Sequence, residues 1–259
     1  SGLEKNKTAV AAVATQKVRK ALEKAGMQAD GIDMALAPSS GKDTGLCVAL
    51  TETSTERTFI SRLGAEGELS AEDLACVVPC ADDYVYVSGY SLLLEGKAQP
   101  LIDWLLALPR AIAVVFDPGP LAKGPNSALM LALLPRIDIW TSNGPEALAF
   151  TGAADIAQAL TDLARHLPAD TLLVLRDGPN GCWVGRGAQI EHVPGFTVQA
   201  VDSNGAGDAH AGVMIAGLAQ GLEPVESARR ANAAAALAVT RWGPATAPTG
   251  AEVDAFLKP

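Results

Sequence analysis

The most informative stretch of the chain is Asp202-Ser-Asn-Gly-Ala-Gly-Asp-Ala-His-Ala-Gly212. It follows a run of β-forming residues, and apolar residues continue beyond it through Leu218, so it is predicted to open a helix. Its glycines allow a tight turn and bring backbone N–H groups towards a ligand. Because these groups have no partner inside the helix and the helix dipole adds partial positive charge, the turn predicts an anion site.

A carboxylate at this turn needs an explanation, because Asp208 would repel an anion held by the loop. One interpretation is a base that takes a proton from a hydroxyl group attacking a bound phosphate. The alternative is an ordinary acidic residue in the first helical turn, where it favours the dipole. A dinucleotide-binding loop is also considered, but its third glycine comes only at Gly212 and another helix is predicted next.

Working outward from this turn, short apolar strands alternate with helices. Strands are predicted at Tyr84–Ser88, Ile112–Asp117, Ile137–Trp140 and Leu172–Leu175, with helices near 98–107, 125–134, 144–151 and 154–167. This alternation predicts an α/β fold with a mostly parallel sheet flanked by helices on both faces. Further strands, nearer an antiparallel edge, are predicted at Cys182–Gly185 and Phe196–Val201, and later helices at Gly207–Gln220, Val225–Thr240 and Ala251–Leu257.

The front of the chain has a different pattern. Thr15–Gly26 carries an apolar stripe typical of a helix that ends at its glycine. Two β-rich runs within residues 44–61 flank the polar turn Glu52–Glu56, which predicts a β-hairpin. We therefore expect one domain over residues 1–259, with the hairpin at 44–61 as an excursion from it.

Composition excludes several classes of protein. With 259 residues, 49% of them hydrophobic, the chain can bury a sizeable core and is not disordered or fibrous. A net charge of −9 argues against a nucleic-acid partner but permits a small anionic ligand. Apolar runs are too short for a membrane span, and the first residues are too charged for a secretory signal. The cysteines lack zinc spacing and are expected to be reduced, buried thiols of a cytoplasmic protein: Cys47, Cys76, Cys80 and Cys182.

The stretch Ala200–Asp208 resembles the C-terminal motif of the ribokinase-like, or PfkB-type, carbohydrate kinases, written D-T-x-G-A-G-D, with Ser203 in place of Thr. Three more segments agree in order and spacing. Asn143–Glu146 is similar to the family's Asn-x-x-Glu, Arg176–Gly181 to its nucleotide loop, and Ala231–Gly243 to its C-terminal helix and following loop. The resemblance extends roughly over residues 15–257, and four ordered segments are much more specific than one Gly-Ala-Gly-Asp.

This resemblance implies an ATP-dependent kinase that phosphorylates a hydroxyl group of a small sugar, as ribokinases and fructokinases do. Asp208 would be the general base, and the anion hole for the transferred phosphoryl group would be formed by the N–H groups of Gly205, Ala206 and Gly207. Glu146, with Asn143, would help to hold Mg²⁺ through water. The nucleotide would be lined by Arg176, Asp177, Gly178 and Gly181, with Asn232 on the adenine side.

The resemblance also implies a potassium site, which would fix the anion hole without touching substrate. Its ligands would be Asp202 and the carbonyl groups of Asn204, Ala238, Arg241, Gly243 and Ala247. Ser88, Gly89 and Tyr90 would line the sugar pocket together with Asp208. The hairpin at 44–61 resembles the family's lid, which closes over the sugar and often pairs two subunits, so a homodimer is implied.

The sequence departs from the family at two places. Asp117-Pro-Gly-Pro resembles a strand end that often reads Asp-x-Asn-x-Arg, but Gly119 and Leu121 replace the Asn and the Arg. Ser1–Thr15 contains neither the family's first strand with its Asp nor its Gly-Gly-x-x-x-Asn motif. The front of the sugar-binding region is therefore expected to be truncated or to lie outside this sequence.

Several of these residues also have a purely structural alternative. Asn143 can cap the helix that begins near Pro145, Asp202 can form a turn, and Asn232 can be a solvated helix residue. His210 is interpreted as a helix residue that packs near the loop. For the whole protein, the alternatives are a nucleoside kinase of the same fold and a non-catalytic sugar- or nucleotide-binding protein.

Overall fold

The computed structural model describes residues 31–32, 35–36, 41–43, 45–51, 57–122 and 128–258, so the predicted helix Thr15–Gly26 lies outside the described residues. The strands are Leu46–Thr51 (β1), Arg57–Arg62 (β2), Tyr84–Ser88 (β3), Ala113–Asp117 (β4), Ile139–Asn143 (β5), Leu172–Arg176 (β6), Gly181–Arg186 (β7) and Gln189–Pro194 (β8). The α-helices are Ala71–Ala75 (α1), Glu95–Ala107 (α2), Ala128–Leu133 (α3), Gly144–Thr151 (α4), Ile156–His166 (α5), Ala206–Ala219 (α6), Pro224–Ala238 (α7) and Gly250–Leu257 (α8).

Six of the strands form one sheet in the order β3-β4-β5-β6-β7-β8. The first four are parallel, whereas β7 and β8 add an antiparallel edge beyond β6. Strands β1 and β2 form a separate antiparallel hairpin. The predicted α/β fold, with its mostly parallel sheet and its small hairpin, is confirmed.

Both faces of the sheet are covered, because its central strands are apolar on both sides. In β4, Val114 and Phe116 belong to one core layer and Val115 to the other, as the alternation of side chains along a strand requires. The first layer is built against α2 to α5 and includes Ile102, Leu105, Met130, Leu133, Phe150 and Leu163. The second is built against α6 and α7 and includes Met214, Ala228 and Ala231.

Two of the predicted strands differ from the structure. The strand expected at Ile137–Trp140 runs instead from Ile139 to Asn143, because a short 3₁₀ turn at Leu134–Arg136 closes against Ile137. The strand predicted at Phe196–Val201 is wrong. The Val201 N–H donates to the carbonyl of Val239 at the end of α7, and Phe196 packs on Phe256 of α8. Phe196 is thus partly buried against a helix, whereas Val201 is exposed, and neither belongs to a sheet.

The cysteine prediction is correct only in part. Cys182 is a buried free thiol, but Cys76 and Cys80 are free and exposed. Burial raises the pKa of the Cys182 thiol to about 12, so this group stays protonated at neutral pH. In the part of the chain that is described, each helix is too short or too polar to cross a membrane.

Candidate active site

Four of the sheet's strands end at polar residues along one edge. Ser88, the last residue of β3, is in register with Asp117 at the end of β4, and Asn143 of β5 is in register with Arg176 of β6. The carboxyl edge of parallel strands is where α/β proteins bind ligands. The strand order thus gathers residues that are far apart in the chain at one candidate site.

The guanidinium group of Arg176 is the central cation of this site. Its Nη1 donates to Thr141 Oγ1 at 2.7 Å, and its Nη2 donates to Asp117 Oδ2 at 3.1 Å. Nη2 also lies 3.7 Å from Glu146 Oε2. The Arg176 and Asp117 side chains are only 13% and 12% exposed, so their ion pair is weakly screened by solvent.

The carboxylate of Asp117 has further donors that fix its position. The N–H of Gly119 donates to Oδ1 at 3.1 Å, and the hydroxyl of Tyr86 donates to Oδ2 at 3.4 Å. Burial, together with the charge of Asp117, raises the pKa of Tyr86, which therefore remains a neutral donor. Asp117 thus holds Arg176 in one orientation at the strand edge.

Asn143 and Glu146 form a reciprocal cap at the start of α4. The side chain of Asn143 accepts from the N–H of Glu146 at 2.8 Å, and Glu146 Oε2 accepts from the N–H of Asn143 at 2.8 Å. The structural alternative for Asn143 is therefore confirmed. Burial raises the pKa of Glu146, and this effect outweighs the hydrogen bond from the N–H of Asn143, which lowers the pKa. The cap fixes the Glu146 carboxylate at the edge of the site, beside Arg176.

The turn Gly205–Gly207 begins α6 as predicted. Gly205 has a left-handed backbone, with φ of 76°, and a Cβ atom there would stand 2.0 Å from the carbonyl oxygen of Pro244. Only glycine fits such a close approach. A Cβ atom on Gly207 would stand 3.8 Å from Cζ and Nη2 of Arg176. The N-terminal turn of α6 therefore faces the end of β6.

Asp208 lies in the first turn of α6 and is exposed to solvent. Partial burial of its carboxylate and the negative charge of Asp117 raise its pKa, whereas the positive charge of Arg176 lowers it. Asp208 is thus electrostatically coupled to the strand-edge cluster. A carboxylate with a raised pKa beside a helix N-terminus is a suitable proton acceptor for a hydroxyl group.

The predicted nucleotide loop follows β6 directly. The N–H of Asp177 donates to the carbonyl of Gly181 at 2.8 Å, which closes the turn, and Gly178–Asn180 forms a 3₁₀ turn inside it. The Asp177 carboxylate accepts from Asn180 Nδ2 at 3.2 Å. Arg176, Asp177, Gly178 and Gly181 are therefore consecutive parts of one turn, beside the start of α6.

Asn232 lies in the interior of the protein, so the interpretation as a solvated residue is wrong. Its Nδ2 donates to the carbonyls of Val193 and Pro194 at 3.0 and 3.2 Å, and its Oδ1 lies 3.1 Å from His210 Nε2. His210 is a residue of α6, as predicted, and its side chain is buried. The predicted contact of Asn232 with adenine stays a prediction.

Asp202 connects the two loops of the predicted potassium site. Its Oδ1 accepts from the N–H of Asn204 at 2.9 Å and its Oδ2 from the N–H of Gly243 at 3.1 Å. The carbonyl of Ala238 accepts from Thr246 Oγ1 and from the N–H of Arg241, both at 3.1 Å. The predicted ligand segments are thus close together, but these oxygens already have protein donors.

Ser88–Tyr90 lies at the carboxyl end of β3, at the same edge as Asp117. Ser88 Oγ accepts from the N–H of Tyr90 at 3.4 Å, and Gly89 packs directly on the carbonyl of Pro118. The Tyr90 ring is exposed and lies over Gly119. The structure thus places these three residues at the candidate site, where their contact with sugar stays a prediction.

Sequence reasoning missed the polar network around Arg176. No local motif marks Tyr86 and Thr141, and Asp117 stands out in the sequence only at a departure from a family pattern. A usable signal was present, because Asp117 and Arg176 are both charged residues at the ends of buried strands, where a charge needs a partner.

Comparisons with known proteins identify the family and the fold of this chain. The profile of the family described as pfkB family carbohydrate kinase matches residues 8–250. An uncharacterised sugar kinase of Escherichia coli K12, YegV, is 30% identical over 85% of this chain and 68% of its own length. An adenosine kinase of Schizophyllum commune is 27% identical over 85% of this chain and 70% of its own.

The fold is shared with solved structures. The crystal structure of a fructokinase from Vibrio cholerae O395, in a form with bound fructose, ADP and calcium ion, superposes with a TM-score of 0.81. The match covers 99% of this chain and 87% of that one, at 20% sequence identity. This likeness establishes the overall architecture.

Proposed function

The chain belongs to the pfkB family of carbohydrate kinases, and we propose that it transfers the γ-phosphoryl group of ATP to a hydroxyl group of a small sugar. The observation that carries this proposal is the position of Asp208. It lies in the first turn of α6, one residue after Gly207, and Gly207 lies against the guanidinium of Arg176. A proton acceptor, an anion-binding turn and a cation thus occur together, as in-line phosphoryl transfer requires.

In the proposed reaction, Asp208 accepts the proton of the sugar hydroxyl as its oxygen attacks the γ-phosphorus atom. The bond from that phosphorus to the bridging oxygen breaks, and ADP leaves. The N–H groups of Gly205, Ala206 and Gly207 bind the negative charge that the phosphoryl group presents. Arg176 lines the phosphates from the side of β6, where Asp117 and Thr141 orient it.

We propose that Glu146, with Asn143, holds Mg²⁺ through water. Among the described residues, there is no cluster of three or more His, Cys, Asp or Glu side chains that could hold a metal ion. A site with one or two carboxylates fits Mg²⁺, which usually keeps several waters and binds the phosphates of its nucleotide. When bound, this ion neutralises charge on those phosphates. The same carboxylate also anchors the start of α4 by accepting the N–H of Asn143.

Potassium activation stays a prediction from the family resemblance. Both carboxylate oxygens of Asp202 and the carbonyl of Ala238 are engaged by protein donors in this arrangement. We derive no step through potassium. What Asp202 does here is to hold the loop at Gly243 against the turn that precedes α6.

We favour a monosaccharide as the acceptor of the phosphoryl group. A nucleoside is the second candidate acceptor, because an adenosine kinase is among the relatives. We expect the protein to lie in the cytoplasm, where ATP is abundant and the exposed thiols of Cys76 and Cys80 stay reduced.

The hairpin β1–β2 is proposed as a lid and as the pairing surface of a homodimer. Its exposed Ile60 supports this proposal.

The experiment that tests the function is ADP release in a coupled assay with Mg²⁺ and ATP, over a panel of pentoses, hexoses and nucleosides. We expect turnover with at least one sugar. Turnover with nucleosides alone would establish the second candidate. Binding of sugar or nucleotide without any turnover across the panel would contradict a kinase and favour a binding protein.

A further inference from the structure

The Asn232 side chain is buried, and its amide nitrogen and oxygen both contact protein groups. Both hydrogens of Nδ2 are used, one on the carbonyl of Val193 and one on that of Pro194. These two acceptors fix the orientation of the amide, because a carbonyl group can only accept. Oδ1 must therefore face His210, at 3.1 Å from its Nε2.

The orientation of Asn232 determines the protonation of His210. Since Oδ1 is an acceptor, Nε2 of His210 carries the hydrogen and donates it. Burial, together with the nearby charge of Arg176, lowers the pKa of His210 to about 3, so the ring is neutral at working pH. Its Nδ1 is consequently a bare acceptor, and it is buried without a hydrogen-bond partner.

Such an arrangement costs stability. A buried polar atom without a partner costs about 1–3 kcal/mol relative to its hydrated state. A phenylalanine would fill the same space beside α7 without that cost. The imidazole therefore contributes something that a ring alone does not, and the one polar bond it makes is the bond to Asn232.

The residues held by Asn232 lie directly behind the nucleotide loop. The N–H of Gly195, which follows Pro194, donates to the carbonyl of Asn180 at 3.1 Å. A Cβ atom on Gly195 would stand 2.3 Å from the carbonyl oxygen of Pro179, so the two backbones touch. A shift of Pro194 is therefore transmitted to the turn at residues 177–181.

These contacts form one continuous path. His210 belongs to the helix that carries Asp208, and Asn232 links it through Pro194 and Gly195 to the loop after Arg176. We propose that His210 and Asn232 are a pair of positioning residues that fix the nucleotide loop relative to the N-terminal turn of α6. This inference rests on the proposed function, because it assumes that the loop at residues 177–181 binds nucleotide.

The test compares two substitutions of His210. In His210→Gln the amide nitrogen stands near the place of Nε2 and keeps the donor, whereas His210→Phe keeps the ring and loses the donor. We expect His210→Phe to weaken ADP binding, measured by calorimetry, and to raise KM for ATP about tenfold. This is the effect expected from the loss of the one hydrogen bond between His210 and Asn232. We expect KM for the sugar to stay within twofold, and His210→Gln to restore ADP affinity.

A purely structural pair would give a different result. If His210→Phe lowers Tm but leaves ADP affinity and KM for ATP within twofold of wild type, the positioning role is overturned. A wild-type protein that binds no ADP would instead overturn the proposed function, and the pair with it. The two failures are therefore distinguishable in the same experiment.

A measurement on the unaltered protein covers the case in which His210→Phe does not fold. The Nε2–H of His210 gives a ¹⁵N–¹H signal whose exchange with solvent reports local opening. Because ADP would stabilise the loop to which the pair is linked, we expect ADP to slow this exchange. An exchange rate that does not change when ADP saturates the protein would overturn the proposal.

Discussion

Arg176 of β6 lies against Gly207 in the first turn of α6, so that a methyl group on the glycine would stand 3.8 Å from its guanidinium carbon. A cation at a helix N-terminus opposes the helix dipole unless an anion lies nearby. Asp117 and Glu146 supply that negative charge, at 3.1 and 3.7 Å from Nη2 of the guanidinium. A phosphate group entering this site would meet the first turn of α6 and a cation whose position is already fixed by Asp117.

The role of Asp208 gives the first prediction. Asp208→Asn removes the proton acceptor and keeps the shape of the side chain, so we expect kcat to fall by about 10²- to 10⁴-fold. ADP binding should survive, because the N–H groups of the turn are unchanged. Steady-state kinetics and calorimetry measure the two effects. Turnover equal to that of wild type would remove the base assignment.

The fold of this variant can be checked by its stability against pH. The folded protein raises the pKa of Asp208, so ionising the carboxylate costs stability at neutral pH. An asparagine has no carboxylate to ionise. We expect Tm of Asp208→Asn to equal or exceed that of wild type at neutral pH, and the difference to shrink as the pH falls through the folded pKa and to vanish below the ordinary pKa of an aspartate.

Glu146 gives the second prediction. Glu146→Gln retains a capping oxygen for α4 but loses the charge that would hold metal-bound water, so the Mg²⁺ concentration for half-maximal activity should rise. Asp73→Asn is the matched control, because Asp73 occupies the same capping position in α1, in a cap with Ser70. Metal titrations of both variants make the comparison. An unchanged requirement in Glu146→Gln would contradict the metal role.

The third prediction concerns the backbone at Gly205. Gly205→Ala places a Cβ atom on the carbonyl of Pro244 and strains a left-handed backbone, which should cost about 1–3 kcal/mol of unfolding free energy. The anion hole would be distorted, so kcat should fall as well. In Gly212→Ala, farther along the same helix, the added methyl meets no atom within 4 Å. Denaturant unfolding should show this control at or above wild-type stability.

The charge of Arg176 gives the fourth prediction. Arg176 lowers the pKa of Asp208, so Arg176→Met should raise that pKa and move the acid limb of the kcat/KM profile to higher pH. Asp117 acts in the opposite direction, so Asp117→Asn should move the limb to lower pH. The measurement is kcat/KM for the sugar against pH at saturating ATP. Shifts in the same direction for both variants would exclude this electrostatic coupling.

The hairpin gives the fifth prediction. Ile60 in β2 and Leu63 just after it are each 59% exposed, which is unusual for two large apolar residues so close together. If the hairpin pairs two subunits, Ile60→Glu should shift sedimentation at micromolar concentration from dimer to monomer. Val78→Glu is the control, because Val78 is also an exposed apolar residue but lies outside the hairpin. A wild-type protein that sediments only as a monomer would contradict the proposed pairing.

Much of the fold could be predicted from local patterns. Buried parallel strands are apolar on both faces, so the short continuous apolar runs Val114–Phe116 and Leu172–Leu175 predict strands. The turn before α6 could be predicted because closely spaced glycines ahead of an apolar helical pattern are typical of a tight turn at a helix start. The strand predicted at Phe196–Val201 is wrong because alternation alone does not require a sheet: Phe196 packs on Phe256 of a helix, and Val201 is exposed.

The network around Arg176 could not be predicted in this way. Its partner Asp117 is 59 residues away, and Arg176 reaches it only because β4 and β6 flank β5 in the sheet. Asn232 was equally hidden, since an asparagine in an alanine-rich helix carries no sign of a buried partner. Such contacts depend on the order of strands and on helix packing, which no local window of sequence contains.

The direct contact between Gly195 and the carbonyl of Pro179 has a practical consequence for protein engineering. Two main chains that touch without a side chain between them cannot be redesigned one at a time, because an insertion in either displaces the other. Attempts to alter the loop that we propose binds nucleotide should therefore diversify residues 178–180 and 194–196 together, in a single paired library.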